Sequence, residues 1–281
     1  MLRSRLMSSD KIKEILKRIA RYYGFVLQRY DPRNPLLRCS LNSSMTVARG
    51  VGFTPKTIID IGAARGCWSA EVSSIWPDAC YILIDPLEEN RQELQSVCRK
   101  LKNADFRITA ITDHSGKITI NVHPDLEGST IFLEREENIN GVPREVNSMT
   151  LDDLHAEMRF ENPVLLKVDV QGAEMKVLTG AAKSLPLFDM IILEVLLFDI
   201  YQGNNPQLYD VIAYLKSKGF VTWDLFGMGY RMLDNALCQV DMVFVREDGL
   251  FRKDHKYATE EQRLDQLAAI KSANPKRFKQ A

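Results

Sequence analysis

Between residues 57 and 193 the chain repeats one pattern: a short continuous apolar run, then a stretch of helical period. The runs fall at 57–61, 81–84, 106–111, 164–168 and 190–193. Several consecutive apolar residues leave no face for water, so each run reads as a strand buried on both sides. Helical patterns follow the first run as far as Ile75, occupy 88–102 with Leu87, Leu94, Val97 and Leu101 at helical spacing, and return at 173–185. Parallel neighbours need a long crossover, and helices supply it, so the expected class is α/β with a mostly parallel sheet covered on both faces. A further helix at 209–218 precedes two strand patterns, 220–225 and 240–245, with no long helix between them. That pair predicts an antiparallel hairpin closing one edge of the sheet.

Two segments break the alternation. Residues 112–150 hold a predicted strand at 117–122 and then a polar loop rich in Glu and Asn. An insertion of that length in a compact α/β domain is typically a functional lid. Ahead of the alternation, Ile12, Ile15, Leu16 and Ile19 form one apolar stripe behind a capping Ser9 or Asp10, predicting an amphipathic helix over 10–23. Its other face carries Lys11, Lys13, Lys17, Arg18 and Arg21 against Glu14. Such a face is either solvated on a helix packed over the domain or suited to weak peripheral contact with an anionic membrane, and the helix could also join two copies in a homodimer. The segment Asp31-Pro32-Arg33-Asn34-Pro35 reads as a turn. The expected division is 1–49 amphipathic helix and linker, 50–247 α/β domain, and 248–281 a polar helical tail.

Composition removes other classes. With 37 basic and 37 acidic side chains in 281 residues, the chain lacks the cationic excess of bulk nucleic-acid binding. Cys39, Cys67, Cys80, Cys98 and Cys238 are odd in number and never spaced as CxxC, which argues against a disulfide framework or zinc ribbon and for a reducing compartment. The most apolar stretch, 190–200, is interrupted by Glu194 and Asp199, so no membrane span is expected. Arg3 and Arg5 precede no continuous apolar region, so no secretory signal is expected, and the cytoplasm is the expected location.

The chemistry concentrates where strands hand over to helices. Asp60-Ile61-Gly62-Ala63-Ala64-Arg65-Gly66 ends the first strand, at the edge where open α/β sheets bind ligands. Glycine there permits a tight turn and close approach of backbone to ligand; a plain turn with no ligand would need it too. Asp85 ends the second strand, placed to accept hydrogen bonds from two ribose hydroxyls. A dinucleotide site would want G-x-G-x-x-G over a helix N-terminus. Here the spacing is D-x-G-x-x-x-G, and the Asp60 carboxylate would repel pyrophosphate. An NAD-dependent dehydrogenase is therefore disfavoured, and a ligand with an ammonium, a ribose and no phosphate, such as S-adenosylmethionine, fits better. The second cluster is Lys167-Val168-Asp169-Val170-Gln171-Gly172-Ala173-Glu174. Asp169 belongs at the same sheet edge. Glu174 falls in a first helical turn, where it favours the helix dipole. Lys167, in a buried strand, needs a carboxylate partner, and Glu194 on the next strand is the expected one.

These segments occur in order with Ile84-Asp85-Pro86, Met149-Thr150-Leu151-Asp152-Asp153-Leu154 and Ile192-Leu193-Glu194-Val195. Over roughly residues 50–247 the chain resembles the FkbM family of S-adenosylmethionine-dependent methyltransferases. Its most specific part is the K-x-D-x-x-G-x-E segment. The resemblance implies a Rossmann-like class I methyltransferase fold with a seven-stranded sheet, and methylation of a hydroxyl oxygen on a sugar, glycan or natural-product acceptor. It differs at Ala64, where the family often has Asn, and at Asp85, where it often has Glu. Cofactor binding is assigned to Asp60, Gly62, Ala63, Gly66, Asp85 and Asp169. Gly128-Ser129 matches a small-polar position of the family.

Methyl transfer to oxygen requires alignment, exclusion of water and removal of the hydroxyl proton. The candidate catalytic residues are Asp169, Glu194 and His123, with His114 a further histidine. Asp169 could instead hold Mg²⁺ with Glu194 or Asn204-Asn205, but no close oxygen-ligand spacing supports a metal. Methylation of nucleic-acid bases would call for [DN]-P-P-[YF] after the fourth strand, and Asp169-Val170-Gln171-Gly172 stands there instead. A reading from another class, a non-catalytic methyltransferase-fold protein acting through a partner, would expect lost donor residues, yet Asp60, Gly62, Gly66 and Asp85 are all present.

Overall fold

A computed structural model of the chain describes residues 15, 16, 18, 40–136, 139–203 and 205–273. Ile15, Leu16 and Arg18 are helical; the rest of the 10–23 pattern, the 31–35 turn and the end of the tail lie outside the described residues. One compact unit runs from Cys39 to Ala281, so the segment expected to be linker up to residue 49 in fact opens this unit. It begins with α1 (Leu41–Gly50), whose Ser40 and Ser43 cap each other reciprocally. Met45 and Ala48 of α1 are fully buried.

The alternation follows as β1 (Thr57–Ile61), α2 (Cys67–Val72), β2 (Cys80–Asp85), α3 (Arg91–Lys100) and β3 (Asn103–Ile108). An inserted section holds β4 (Ala110–Ile111), β5 (Gly116–Val122) and β6 (Val142–Met149). Then come α4 (Leu151–Met158), β7 (Val164–Val168), α5 (Glu174–Thr179), β8 (Phe188–Leu196), α6 (Leu208–Ser217), β9 (Phe220–Tyr230), β10 (Leu237–Arg246) and α7 (Glu260–Ala273). The main sheet has seven strands in the order β3-β2-β1-β7-β8-β10-β9, with β10 antiparallel to both neighbours. The expected edge hairpin is present. Every residue of β1 and β7 is buried, as continuous apolar runs require.

Alternate residues of the strands serve two cores. Ile59, Ile61, Leu166, Val168 and Ile191 pack with Leu154, Val177 and Leu215 of α4, α5 and α6. Ile58, Leu83, Leu165 and Ile192 pack on the other face with Met45, Val72 and Leu94 of α1, α2 and α3. Burying each such side chain stabilises the fold by roughly 1.5–3 kcal/mol.

The structure departs from the sequence reading in the inserted section. The run expected as one strand over 106–111 divides at Thr109: its N–H donates to Asp85 O while its Oγ1 donates to Asn147 O, so the chain leaves the large sheet for a small one ordered β4-β6-β5. The second half of the expected polar loop is the strand β6, paired in antiparallel register with β5.

Candidate functional site

The order of the sheet changes direction between β1 and β7, the switch point where open α/β sheets hold ligands. A cavity of about 390 Å³ opens there, beneath the ends of β1, β2 and β7 and the inserted sheet. Its floor is the glycine loop. Gly62 has φ +72°, and a Cβ on it would lie 1.8 Å from the Asp169 carbonyl oxygen. Gly66 has φ +78° and sits against Leu83 and Val97. Both positions therefore require glycine. Gly62 and Ala63 donate their N–H groups to Ile84 O, which fastens the loop to the end of β2.

Under the loop lies a buried charge cluster. Lys167 stands in register beside Asp60, and its Nζ lies 3.2 Å from Asp60 Oδ1, 3.4 Å from Asp169 Oδ2 and 3.0 Å from Gly62 O. Burial opposes the ammonium's charge, yet Asp60 and Asp169 together hold its pKa above the ordinary value. The expected partner Glu194 is not bonded to it. Lys167 lies opposite Ile192, which puts Glu194 two residues further along β8. Asp60 is fully buried, accepts a 2.7 Å bond from Ser69 Oγ and does not line the cavity. Its charge is offset by Lys167, so repulsion of pyrophosphate is not its role; it holds Lys167 and, through it, the loop.

Asp85 does line the cavity. Its Oδ2 accepts from Ala64 N, and its Oδ1 accepts from Leu87 N and Asn90 Nδ2, each at 2.9 Å. Burial raises its pKa while these three donors oppose the rise. A carboxylate has about four acceptor positions, so three bonds leave room for one ribose hydroxyl rather than the two expected.

On the β7 side a chain of polar contacts continues from Lys167. Gln171 Nε2 donates to Asp169 Oδ1 at 3.0 Å and to Glu194 Oε2 at 3.2 Å, and Gln239 Nε2 donates to Glu194 Oε1 at 2.5 Å. Asp169, Gln171 and Glu194 all line the cavity. Burial, reinforced by Asp169, Glu174 and Asp241, pushes Glu194 up to about 9. Gln171 stood in the second sequence cluster without an assigned role, and Gln239 gave no signal in the sequence; only the fold brings Gln239 of β10 to β8. Glu174 is buried, and its Oε1 accepts from Val170 N and Gly172 N. It ties the β7–α5 loop together, and burial raises it to about 7.

The inserted section forms the remaining wall. Thr130 Oγ1 donates to Gln171 O at 2.7 Å, Phe132 stacks on Tyr201, and Ile118, Ile120 and Ile131 face the cavity. Arg65 of the glycine loop pairs with Glu127 of this wall. Ser129 lines the cavity and Gly128 does not. His123 lies outside the lining, its Nε2 3.4 Å from Glu134 Oε1, and His114 is exposed beside Asp113. Asn205 is buried and donates to Gln202 O, whereas Asn204 lies outside the described residues. Among the described residues no group of three or more His, Cys, Asp or Glu side chains is arranged to hold a metal ion.

The family model described as Methyltransferase FkbM domain matches residues 60–222, more than half of the chain. The chain belongs to that family. It is a methyltransferase with a class I Rossmann-like fold, and its cofactor is S-adenosylmethionine. The residues present fit that cofactor: a tight glycine loop whose Gly62 lies against the Asp169 backbone, a ribose-accepting carboxylate at Asp85, and a cavity of suitable size above them. Of Ala63 and Gly66, the first lines the cavity and the second shapes its loop. No curated protein matches the chain significantly. Among solved structures, it is similar to M. capricolum TrmK in complex with S-adenosyl-homocysteine (8% identity, 87% of this chain and 88% of that one, TM-score 0.42). It is also similar to precorrin-6y C5,15-methyltransferase from Geobacter metallireducens (11%, 72% and 86%, 0.39) and to an rRNA methylase from Streptococcus thermophilus (9%, 72% and 94%, 0.40).

Proposed function

We propose that this methyltransferase acts on a hydroxyl oxygen of a sugar, glycan or natural-product acceptor, in the cytoplasm. Bound S-adenosylmethionine supplies a methyl group on a sulfonium centre, open to in-line attack. The chain supplies the surroundings of the attacking oxygen. The observation that carries this reading is Asp169, a carboxylate on the cavity wall that is positioned by Lys167 and Gln171 and keeps a 32% exposed side chain. It accepts the hydroxyl proton at a carboxylate oxygen as the new C–O bond forms. Glu194, held protonated at neutral pH by burial and like charges, donates a hydrogen bond instead. The free thiols of Cys67, Cys80, Cys98 and Cys238 fit a reducing compartment.

The test is transfer of radiolabelled methyl from S-adenosylmethionine to a panel of monosaccharides, nucleotide sugars and glycans, with wild type and Asp169→Asn compared. The expected label is a base-stable methyl ether, lost by roughly 10²–10⁴-fold in the variant. Label recovered as a base-labile ester or on nitrogen, or an Asp169→Asn protein of full activity, would overturn the reading.

A further inference from the structure

We propose that a cavity at the amino edge of the main sheet binds an organic phosphate, a phosphate monoester carried on an apolar body. The cavity has a volume of about 690 Å³ and opens where β1, β2 and β3 begin, at Thr57, Cys80 and Asn103. Those three residues stand side by side in the parallel register. The donor cavity lies at the other end of the same strands, five residues of β1 away, which is roughly 16 Å at the rise of a parallel strand. The two sites are therefore separate, and the proposal does not depend on the acceptor assigned above.

Charge selects an anion. Arg49, Lys56 and Arg159 line the cavity together with Asp78 and Glu161. Asp78 is already engaged, its Oδ1 2.7 Å from Lys102 Nζ, so it offsets none of the three cations. Among the described residues the side chains of Lys56 and Arg159 have no hydrogen-bond, ion-pair or ring partner, and Arg49 donates to a neutral carbonyl, Ile75 O, at 3.1 Å. Three cations against one free carboxylate, Glu161, leave two positive charges uncompensated. A phosphate monoester carries about −1.5 to −2 at pH 7 and presents three acceptor oxygens to such donors.

The backbone fixes where these cations start. Lys56 N donates to Pro163 O and Lys56 O accepts from Cys80 N, each at 2.8 Å, which ties the residue to the starts of β7 and β2. Arg159 ends α4 with φ +48°, a left-handed conformation that a non-glycine residue seldom adopts and that concentrates at ligand clamps. All three cations are exposed at the rim, whereas the floor is apolar: Ile75, Trp76, Ala79 and Ile82 are buried and Met158 is half-buried. A concave site of this volume suits a small ligand, and a cationic rim over an apolar floor suits one that joins an anionic group to an apolar body.

The test is calorimetric titration of the full chain, saturated with S-adenosylhomocysteine, with phenyl phosphate, inorganic phosphate and phenol, repeated without the S-adenosylhomocysteine. Phenyl phosphate is expected to bind in both conditions, and each of the other two probes at least roughly tenfold more weakly. A Lys56→Gln, Arg159→Asn variant should bind phenyl phosphate at least roughly tenfold more weakly than wild type. The same variant should keep the wild-type melting temperature and S-adenosylhomocysteine affinity, since neither side chain has a partner to lose. Absence of heat from phenyl phosphate, equal affinity for inorganic phosphate, or equal affinity in the variant would overturn the proposal. So would binding confined to the protein without S-adenosylhomocysteine, which would place the phosphate in the donor cavity.

Discussion

Replacing Lys167 by methionine strikes the charge cluster on which both fold and site depend. Methionine keeps an unbranched apolar stem and removes the cation. Asp60, with no exposed surface, would retain Ser69 Oγ as its hydrogen-bond partner, and Asp169 and Gly62 O would lose their tie to β7. Removing one partner of a buried ion pair costs about 3–5 kcal/mol, because the other charge is left uncompensated. An exposed pair such as Lys102–Asp78 contributes far less, because water screens both charges. For a domain of this size each kcal/mol moves the melting temperature by roughly 2–4 °C, so Lys167→Met should melt about 6–20 °C lower. Pairing it with Asp60→Asn removes the orphaned charge, so the double variant should lose less than the sum of the two single losses. Urea unfolding followed by the fluorescence of Trp68, Trp76 and Trp223 measures all four proteins. A loss below about 1 kcal/mol for Lys167→Met, or strict additivity in the double variant, would refute the reasoning.

Other consequences follow from the same geometry. Gly62→Ala should cost more than about 1 kcal/mol and abolish donor binding, because the new methyl meets backbone at 1.8 Å from a residue with φ +72°; calorimetry that finds donor affinity within about twofold of wild type would contradict this. Glu174 and Asp241 are raised to about 7 and Glu194 to about 9, in each case chiefly by burial. The folded chain therefore holds protons that the unfolded chain releases above about pH 4–5, so stability should fall as pH rises toward about 9. Melting temperatures measured across that window should decline, and Glu194→Gln should flatten the upper part; a curve that climbs from about pH 6 to about pH 9 would be inconsistent with these buried acids.

The sequence made the sheet legible where physics leaves one solution. The runs that became β1, β2, β7 and β8 are apolar on both faces, and strands with that pattern belong inside a parallel sheet. Where burial is partial the pattern failed. β6 is mostly exposed and contains Pro143, Arg144, Glu145 and Asn147, so its pairing with β5 leaves almost no alternation to read. α1 buries Ser43 and Ser44 with Met45 and Ala48, and small polar residues do not register as an apolar stripe. In the site, the glycine loop, Asp85 and Asp169 could be placed because each ends a strand. The partner of Lys167 could not, since β7 has two neighbours and only register shows that Asp60, not Glu194, lies beside it. The bridging of Asp169 and Glu194 by Gln171 depends on β7 lying next to β8, and the hold of Gln239 on Glu194 depends on β10 lying next to β8.

The most direct measurement is calorimetric titration of the purified protein with S-adenosylmethionine, S-adenosylhomocysteine and NAD, repeated with Asp85→Ala. A donor site at the β1–β7 switch predicts micromolar binding of both sulfur ligands, about −8 kcal/mol, at least roughly tenfold weaker in the variant, and no heat from NAD. Absence of heat with either sulfur ligand, or saturable binding of NAD, would contradict it.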